Sequence, residues 1–566
     1  TASNVTLGVQ FFGNGPTYSI QGDMTGFNGT FLVYGNGSVN VRLFTNGGTS
    51  NNTYSGPAPS FYSPGTTLSG TGLLADGLLP VVTHSGTSGN AIYDFGNTTT
   101  LPASATFNFF AANTKNNFYY MGDVRNGGSN TILGADNSGN ATNDSYIIGG
   151  LGLNSEFDGI LADGGANTNF SKIGNGTWTL AGANTYGTIM FVTQGVLQIG
   201  NGGTSGQLGI NAGGVASQAI VYSTLAFNRS DDIFVPNLIS GTGDVEQRGS
   251  GTLTLNSQNT YTGATIMTAG TIQTSFIGNA YVASSIGAGP TLASGMLFNG
   301  GRLQYVGTGG STDRAFSISP NGGVLDASGS GLFSFDNTGN VGVSGTGVPE
   351  NLSLGGNTNG DMSMIFVDDG SGATSLNKIE TGTWTLEGNQ TYSGNTTVSG
   401  GFLMVNGTLP NSNVIVTNSV VNGTTINGTL TDANGTGNGT GLISHVTLNS
   451  GGIISPVAGS SSVGNMTVGN LTFNGGTYDI AVDLSSIGNA TLPGTSLNSD
   501  LLHVLNTLTI TNGNIDFIIA GSTTSYTQPG TIALFNLDGG NSSLAGSFGN
   551  LTWLSQQIGS ASPSGI

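Results

Sequence analysis

The sequence predicts an all-β fold, a right-handed parallel β-helix (β-solenoid) extended into an elongated rod. Three observations predict it. The composition is poor in charge and rich in glycine, short segments alternate apolar with polar residues, and one segment recurs three times with its landmarks at fixed offsets.

Charged residues make up 7% of the chain, against about a quarter in ordinary globular proteins, so helical domains held by charged outer faces are excluded. The chain is nonetheless built to fold, because 36% of its residues are hydrophobic and only 15 of 566 are proline, whereas disordered chains couple low hydrophobicity to high charge. Gly is present 99 times and Cys not at all. Without disulfides or thiolate metal sites, stability has to come from stacked backbone ladders and a long apolar interior. Nine Lys and Arg against 28 Asp and Glu give a net charge of −19, which repels nucleic acid and anionic membrane surfaces. No apolar run approaches the roughly 20 residues of a membrane span. Thr1 opens without a charged and hydrophobic leader, so the chain is read as a mature form.

The repeat runs from Gly176 to Leu197 (GTWTLAGANTYGTIMFVTQGVL), from Gly251 to Ile272 (GTLTLNSQNTYTGATIMTAGTI) and from Gly382 to Leu403 (GTWTLEGNQTYSGNTTVSGGFL). In each copy a Tyr follows the second core Leu by six residues, and a Gly follows that Tyr by nine. Trp178 and Leu180, Leu253 and Leu255, and Trp384 and Leu386 stand at alternate positions with Thr between them, the period of a strand with one buried face. With Tyr186, Tyr261 and Tyr392 they are the predicted repeat core. The Asn/Gln-Thr-Tyr and Gly residues supply turn chemistry. β-branched segments follow at Ile189 to Val192, Thr265 to Met267 and Thr396 to Val398, and a third short strand at Val196, Ile272 or Leu403. About 22 residues then read as one solenoid coil.

This pattern resembles the autotransporter-associated β-strand repeat of secreted passenger proteins, whose form is close to Gly-x-Gly-Thr-Leu-Thr-Leu-x-Gly-x-Asn-Thr-Tyr-Thr-Gly-x-Thr-x-Val. Lys172 and Lys378 occupy the family's Lys position, and Gln247 stands there in the middle copy. GDMTGFNGTF from Gly22 and the stretch from Gly451 to Val504 are also similar to passenger coils, so that roughly half of the chain carries the resemblance. No segment after Val504 reads as the alternating strands of a membrane barrel. The resemblance implies a secreted protein, extracellular or on the outer cell surface.

Coils stacked about 4.8 Å apart, ~22–28 of them, would give a rod on the order of 100–130 Å. Three segments are expected: 1–150 as N-terminal solenoid and capping coils, 151–410 as the β-helix carrying the repeats, and 411–566 as C-terminal coils and cap. Unpaired strand edges template further pairing. The segment Val5 to Phe12, with Val5, Leu7, Phe11 and Phe12, is therefore either a first coil or a strand exchanged with a neighbour. The aromatic stretch Phe107 to Tyr120, ending in Tyr119 and Tyr120, is either a bulky core or an outward platform for glycan or a second subunit.

Reactive chemistry is sparse. His84, His445 and His503 stand apart from any nucleophile or H-E-x-x-H pattern, and the acidic pairs Asp231/Asp232 and Asp368/Asp369 read as turn residues. Arg229, Arg248, Arg302 and Arg314 form no tight sequence cluster with those acids, and no calcium nonapeptide recurs. No catalytic, cofactor or metal site is assigned. The expected function is a non-enzymatic extracellular rod that self-associates as a homo-oligomer or homopolymer into a fibre or surface layer. An adhesin passenger that binds glycans or cell-surface components is the alternative, and a glycan-active β-helix enzyme the third reading.

Overall fold

The computed structural model describes side chains for residues 121–125, 132–134, 145–163, 168–345, 347–418, 443–456, 464–481 and 501–516, and elsewhere the backbone of individual strands. Parallel strands stacked in long sheets dominate it. The chain is a parallel β-helix, divided into two compact units: Thr1–Ile272 with Tyr281–Gly289, and Gln273–Ala280 with Pro290–Ile566.

In the first unit, Thr6–Phe12 pairs with Thr30–Ser38, and Thr17–Gln21 with Asn40–Phe44, both parallel and without a register shift. Further along, three walls form. One stacks Phe118–Met121, Asp144–Ile148, Thr168–Lys172, Ile189–Val192, Gln218–Val221 and Leu238–Ser240. A second stacks Asp123–Gly127, Ser155–Phe157, Thr177–Leu180, Val196–Ile199, Thr224–Phe227 and Asp244–Gln247. The third begins with Phe107–Ala111, Thr131–Ala135 and Ile160–Ala162.

Period-two alternation explains the interior. Thr168–Lys172, Ile189–Val192 and Val196–Ile199 bury every second residue, and unshifted parallel pairing puts each inward residue over another. Trp178 stacks on Leu197, Leu225 and Val245, while Leu180 stacks on Ile199, Phe227 and Gln247. Tyr146 and Phe170 add an aromatic stack at 5.5 Å between centroids. Columns of this kind remove apolar surface from water along the whole wall, at about 25 cal/mol per Å².

The pairing corrects the length of a coil. Thr177 pairs with Val196 and Thr383 with Phe402, nineteen residues apart, so the third strand of each 22-residue copy lies in the wall of the first and opens the next coil. The third side of that coil carries Asn-Thr-Tyr. The middle copy is also rotated: Gln247 occupies the wall that holds Leu180, whereas its counterpart Lys172 lies in the wall before it. The second copy therefore enters its coil one wall later than the first.

In the second unit, Arg302–Tyr305, Gly323–Ala327, Asn351–Gly356, Ser375–Lys378, Thr396–Val398 and Leu409–Val416 form one ladder. Gly310–Thr312, Phe333–Phe335, Asn359–Met362, Thr383–Leu386 and Gly401–Val405 form another. The strands then lengthen to Asn465–Asp483 and Leu501–Ala520, 19 and 20 residues, paired in parallel. Among the described strands, antiparallel pairing is confined to short returns such as Asn418–Val421 on Thr424–Thr431.

Candidate functional site

The three repeat copies concentrate the polar chemistry of the described interior. Trp178, Leu180, Tyr186, Leu253, Leu255, Tyr261, Trp384, Leu386 and Tyr392 are all at most 1% exposed. Both indoles find a main-chain acceptor, Trp178 Nε1 donating to the Val124 carbonyl of its own wall at 2.9 Å and Trp384 Nε1 to that of Gly355 in the neighbouring ladder at 2.8 Å. In the middle copy Leu253 fills the position without a donor.

Two of the tyrosines close a local bond. Tyr261 Oη lies 2.8 Å from Thr265 Oγ1, and Tyr392 Oη is hydrogen-bonded to Thr396 Oγ1, four residues on in each case. Met190 stands at that offset from Tyr186, whose hydroxyl faces Gly209 and Ser217 without an ordinary hydrogen bond. Burial pushes the Tyr186 and Tyr392 phenols up to about 12.

The Asn of Asn-Thr-Tyr bridges coils where the strand ladder is interrupted. Asn184 Oδ1 accepts the Leu161 N–H at 2.8 Å and its Nδ2 donates to the Gln207 carbonyl at 2.7 Å. Asn259 accepts from Ile239 N–H at 2.9 Å and donates to Ser285 at 2.7 Å. Gln390 accepts from Phe366 N–H at 2.8 Å. The sequence marked these residues as turn chemistry and did not reveal the bridge, because their partners are main-chain groups 20 or more positions away.

The lysine position is the most polar point of the repeat. Lys172, 1% exposed, donates from Nζ to the carbonyls of Ile173 at 2.7 Å, Gly174 at 2.8 Å and Gln194 at 3.2 Å. Lys378, 0% exposed, donates to Ile379 at 2.6 Å, Glu380 at 3.1 Å and Gly400 at 3.0 Å. Gln247 reproduces two such bonds, to Gly249 at 3.0 Å and Gly251 at 2.8 Å. Burial pushes the Lys378 ammonium down to about 7 against the pull of Glu380, and that of Lys172 down to about 8 against Asp123. Where the first copy has Gly174 at φ +71, the third has Glu380 at φ +60. The Glu380 side chain is used: it accepts from Arg302 Nη2 at 3.0 Å and from the Gly356 N–H, while Arg302 Nη1 also pairs with Asp326. Burial opposes ionisation of Glu380, but these donors outweigh it and hold its carboxyl below the usual range.

The remaining flagged acids sit in turns. Asp231 pairs with Arg229 at 2.6 Å, Asp232 accepts the Thr252 N–H, Asp368 accepts from Thr374 and Ser393, and Asp369 from Gly347. The arginine reading needs correcting, since Arg229 does pair with an acid two residues away and Arg302 gathers acids from 24 and 78 residues along the chain. His445 Nε2 lies 2.7 Å from Asn470 Nδ2 on an outer face, and His503 lies in the Leu501–Ala520 strand. Val5 and His84 lie outside the described residues. Leu7, Phe11 and Phe12 are placed as backbone of Thr6–Phe12, and Tyr119 and Tyr120 as backbone of Phe118–Met121, paired with Tyr146 and Ile147. On the outside of the first unit, Tyr222, Phe234 and Tyr281 are exposed; Tyr281, at 70% and φ +63, projects most.

The passenger-associated-transport-repeat family matches residues 170–199, 245–273 and 376–405, the three copies together with their Lys or Gln strands. The chain carries three copies of the passenger-associated-transport repeat. Passengers of this type are secreted and surface-exposed. The chain is 28% identical over 348 residues, 50% of its length, to the adhesin BmaC autotransporter of Brucella suis biovar 1 (strain 1330), and it spans 10% of that relative. The crystal structure of the Haemophilus influenzae Hap adhesin aligns with 94% of this chain and 56% of its own at 12% identity, with a TM-score of 0.25. No helix of the described residues is long and apolar enough to cross a membrane.

Proposed function

We propose that this passenger is a non-enzymatic adhesive scaffold, whose stacked coils hold outward side chains and turn excursions against a host surface or glycan. The observation that carries the reading is the use made of polar side chains in the repeat copies. Lys172, Lys378, Asn184, Asn259 and Tyr392 point inward and bond to the protein itself, so they hold coils together, while apolar rings such as Phe234 and Tyr281 are left outside. Exposed aromatic faces suit sugar rings and protein surfaces alike. That the Brucella relative is named an adhesin supports the same reading. The test is binding of the purified chain to host cells and to an immobilised glycan panel. Saturable binding, weakened by Y281S or F234S, supports the scaffold; absence of binding to both overturns it.

A second reading, self-association into a fibre or surface layer, is favoured by the position of Thr6–Phe12 at the edge of its sheet, since such edges template pairing. The intact chain should then form regular assemblies, measured by electron microscopy and light scattering, and removing residues 1–12 should abolish them. Assembly that survives the deletion contradicts the exchanged strand.

A further inference from the structure

We propose that Tyr281 is a preformed binding knob, held in a strained backbone by the middle repeat copy and shaped to enter an apolar pocket on a cell-surface protein. The proposal rests on the adhesive reading and narrows it to one class of partner. Among the described residues two that are not glycine have positive φ, Tyr281 at +63 and Glu380 at +60. A Cβ in the left-handed region lowers the folding equilibrium roughly five- to thirtyfold. Glu380 has a use for its position, since its carboxylate there meets Arg302 and the Gly356 N–H. The Tyr281 side chain has no such use: it is 70% exposed and takes part in no hydrogen bond or ring contact among the described residues. Strain that serves neither packing nor a bond is the kind that gathers at recognition sites.

The surroundings over-determine that backbone. The Tyr281 N–H donates to the Gly289 carbonyl at 3.0 Å and closes the loop on itself. Asn259 and Ser284 exchange main-chain bonds in both directions, at 2.9 and 3.1 Å, and Asn259 Nδ2 donates to the Ser285 carbonyl at 2.7 Å. The Ala288 N–H donates to the Tyr261 carbonyl at 2.7 Å, with Gly287 at φ +76 lying against the Tyr261 ring. Asn259 and Tyr261 belong to the Asn-Thr-Tyr of the middle copy, so the solenoid itself fixes the loop. A residue held this way loses little freedom when it is bound.

What the tip offers decides the partner. Tyr281 and its neighbour Val282 are 70% and 50% exposed, whereas Ser284 and Ser285 are fully buried at 0%. No residue from Tyr281 to Gly289 is charged, in a chain of net charge −19. A sugar site needs polar groups placed around the hydroxyls, and an anionic bilayer attracts basic segments; this loop supplies neither. A projecting ring beside an aliphatic side chain is instead the anchor that fills a desolvated pocket in a protein interface, with the phenol hydroxyl free for one hydrogen bond.

The test measures binding of the intact chain to cultured epithelial cells that are untreated, shaved with trypsin or treated with glycosidases. Y281A keeps the strain and loses the ring. It should raise the half-saturating concentration roughly thirtyfold, as for a hot-spot residue, with a urea midpoint equal to wild type. Y281G should lose binding equally, yet its folding equilibrium constant should rise roughly two- to fivefold, the relief of strain less the added freedom of an unfolded glycine. Trypsin should remove the Tyr281-dependent binding and glycosidases should leave it. A lowered urea midpoint in Y281A, binding by Y281A equal to wild type, or loss of the Tyr281-dependent binding to glycosidases overturns the proposal. Equal binding by Y281A leaves the adhesive reading standing, whereas a wild-type chain that binds neither cells nor glycans takes both down.

Discussion

The indole of Trp384 packs on Gly360, its register partner in the neighbouring strand, so closely that a Cβ on Gly360 would stand 2.5 Å from the ring. The large residue of the repeat is accommodated by the absence of a side chain one coil earlier. G360A should therefore force the ring to shift and lower stability by about 1–3 kcal/mol, the usual range for overpacking. Urea unfolding of the variant checks this; an unchanged midpoint would mean that the wall yields at no cost.

Glu380 occupies a left-handed turn position that is Gly174 in the first copy. Ala keeps the backbone strain and loses the carboxylate, whereas Gly loses the carboxylate and relieves the strain. E380A should accordingly be less stable than E380G by about 1 kcal/mol. The bond to Arg302 is partly exposed, with 26% and 32% of the two side chains accessible, so E380G itself should lie within about 1 kcal/mol of wild type, with a smaller gap at high salt.

The buried tyrosines set an alkaline limit. Folded Tyr392 keeps its proton up to about 12, while the unfolded residue loses it near 10. The folded state therefore binds more protons between those values, and stability falls as pH rises through that window. Y392F should flatten the fall and remove about 0.5–1.5 kcal/mol at neutral pH with its bond to Thr396. Y186F, whose hydroxyl lacks such a bond, should cost less. Equal losses in the two variants would contradict the structural difference between the copies.

Lys378 acts on global stability in the opposite sense at lower pH. Its folded proton affinity lies near 7 and its unfolded affinity near 10.4, so the unfolded chain binds the extra proton between them. The stability of the wild type should rise as pH goes from 7 toward 10. K378Q, with a neutral side chain of the kind the middle copy already uses, should reduce that slope; chemical denaturation at pH 7, 8 and 9 measures it.

Much of this architecture is legible in the sequence where one-residue alternation decides burial. Trp178 and Leu180, or Trp384 and Leu386, announce an inward face because period two is a local property. The nineteen-residue coil is less visible, since the excursion between Ile199 and Gln218 lengthens its coil and obscures the count. The rotation of Gln247 by one wall follows from such insertions and leaves no local mark. Lys172 and Lys378 were recognisable as a repeat position, but their role was hidden because every partner is a main-chain carbonyl, which any residue supplies. Arg302 and Glu380 were missed as a pair because 78 residues separate them.

Parallel in-register stacking of the repeat strands is tested most directly by cross-linking, since the chain has no native cysteine. Thr385 and Met404 are register partners, both inclined outward, and adjacent strands lie about 4.8 Å apart, within disulfide reach. The double variant T385C/M404C should form an intramolecular disulfide in high yield under mild oxidation, and T385C/L403C, which joins an outward to an inward position, should not. Equal yields from the two pairs, or none from the first, would contradict the stacked β-helix.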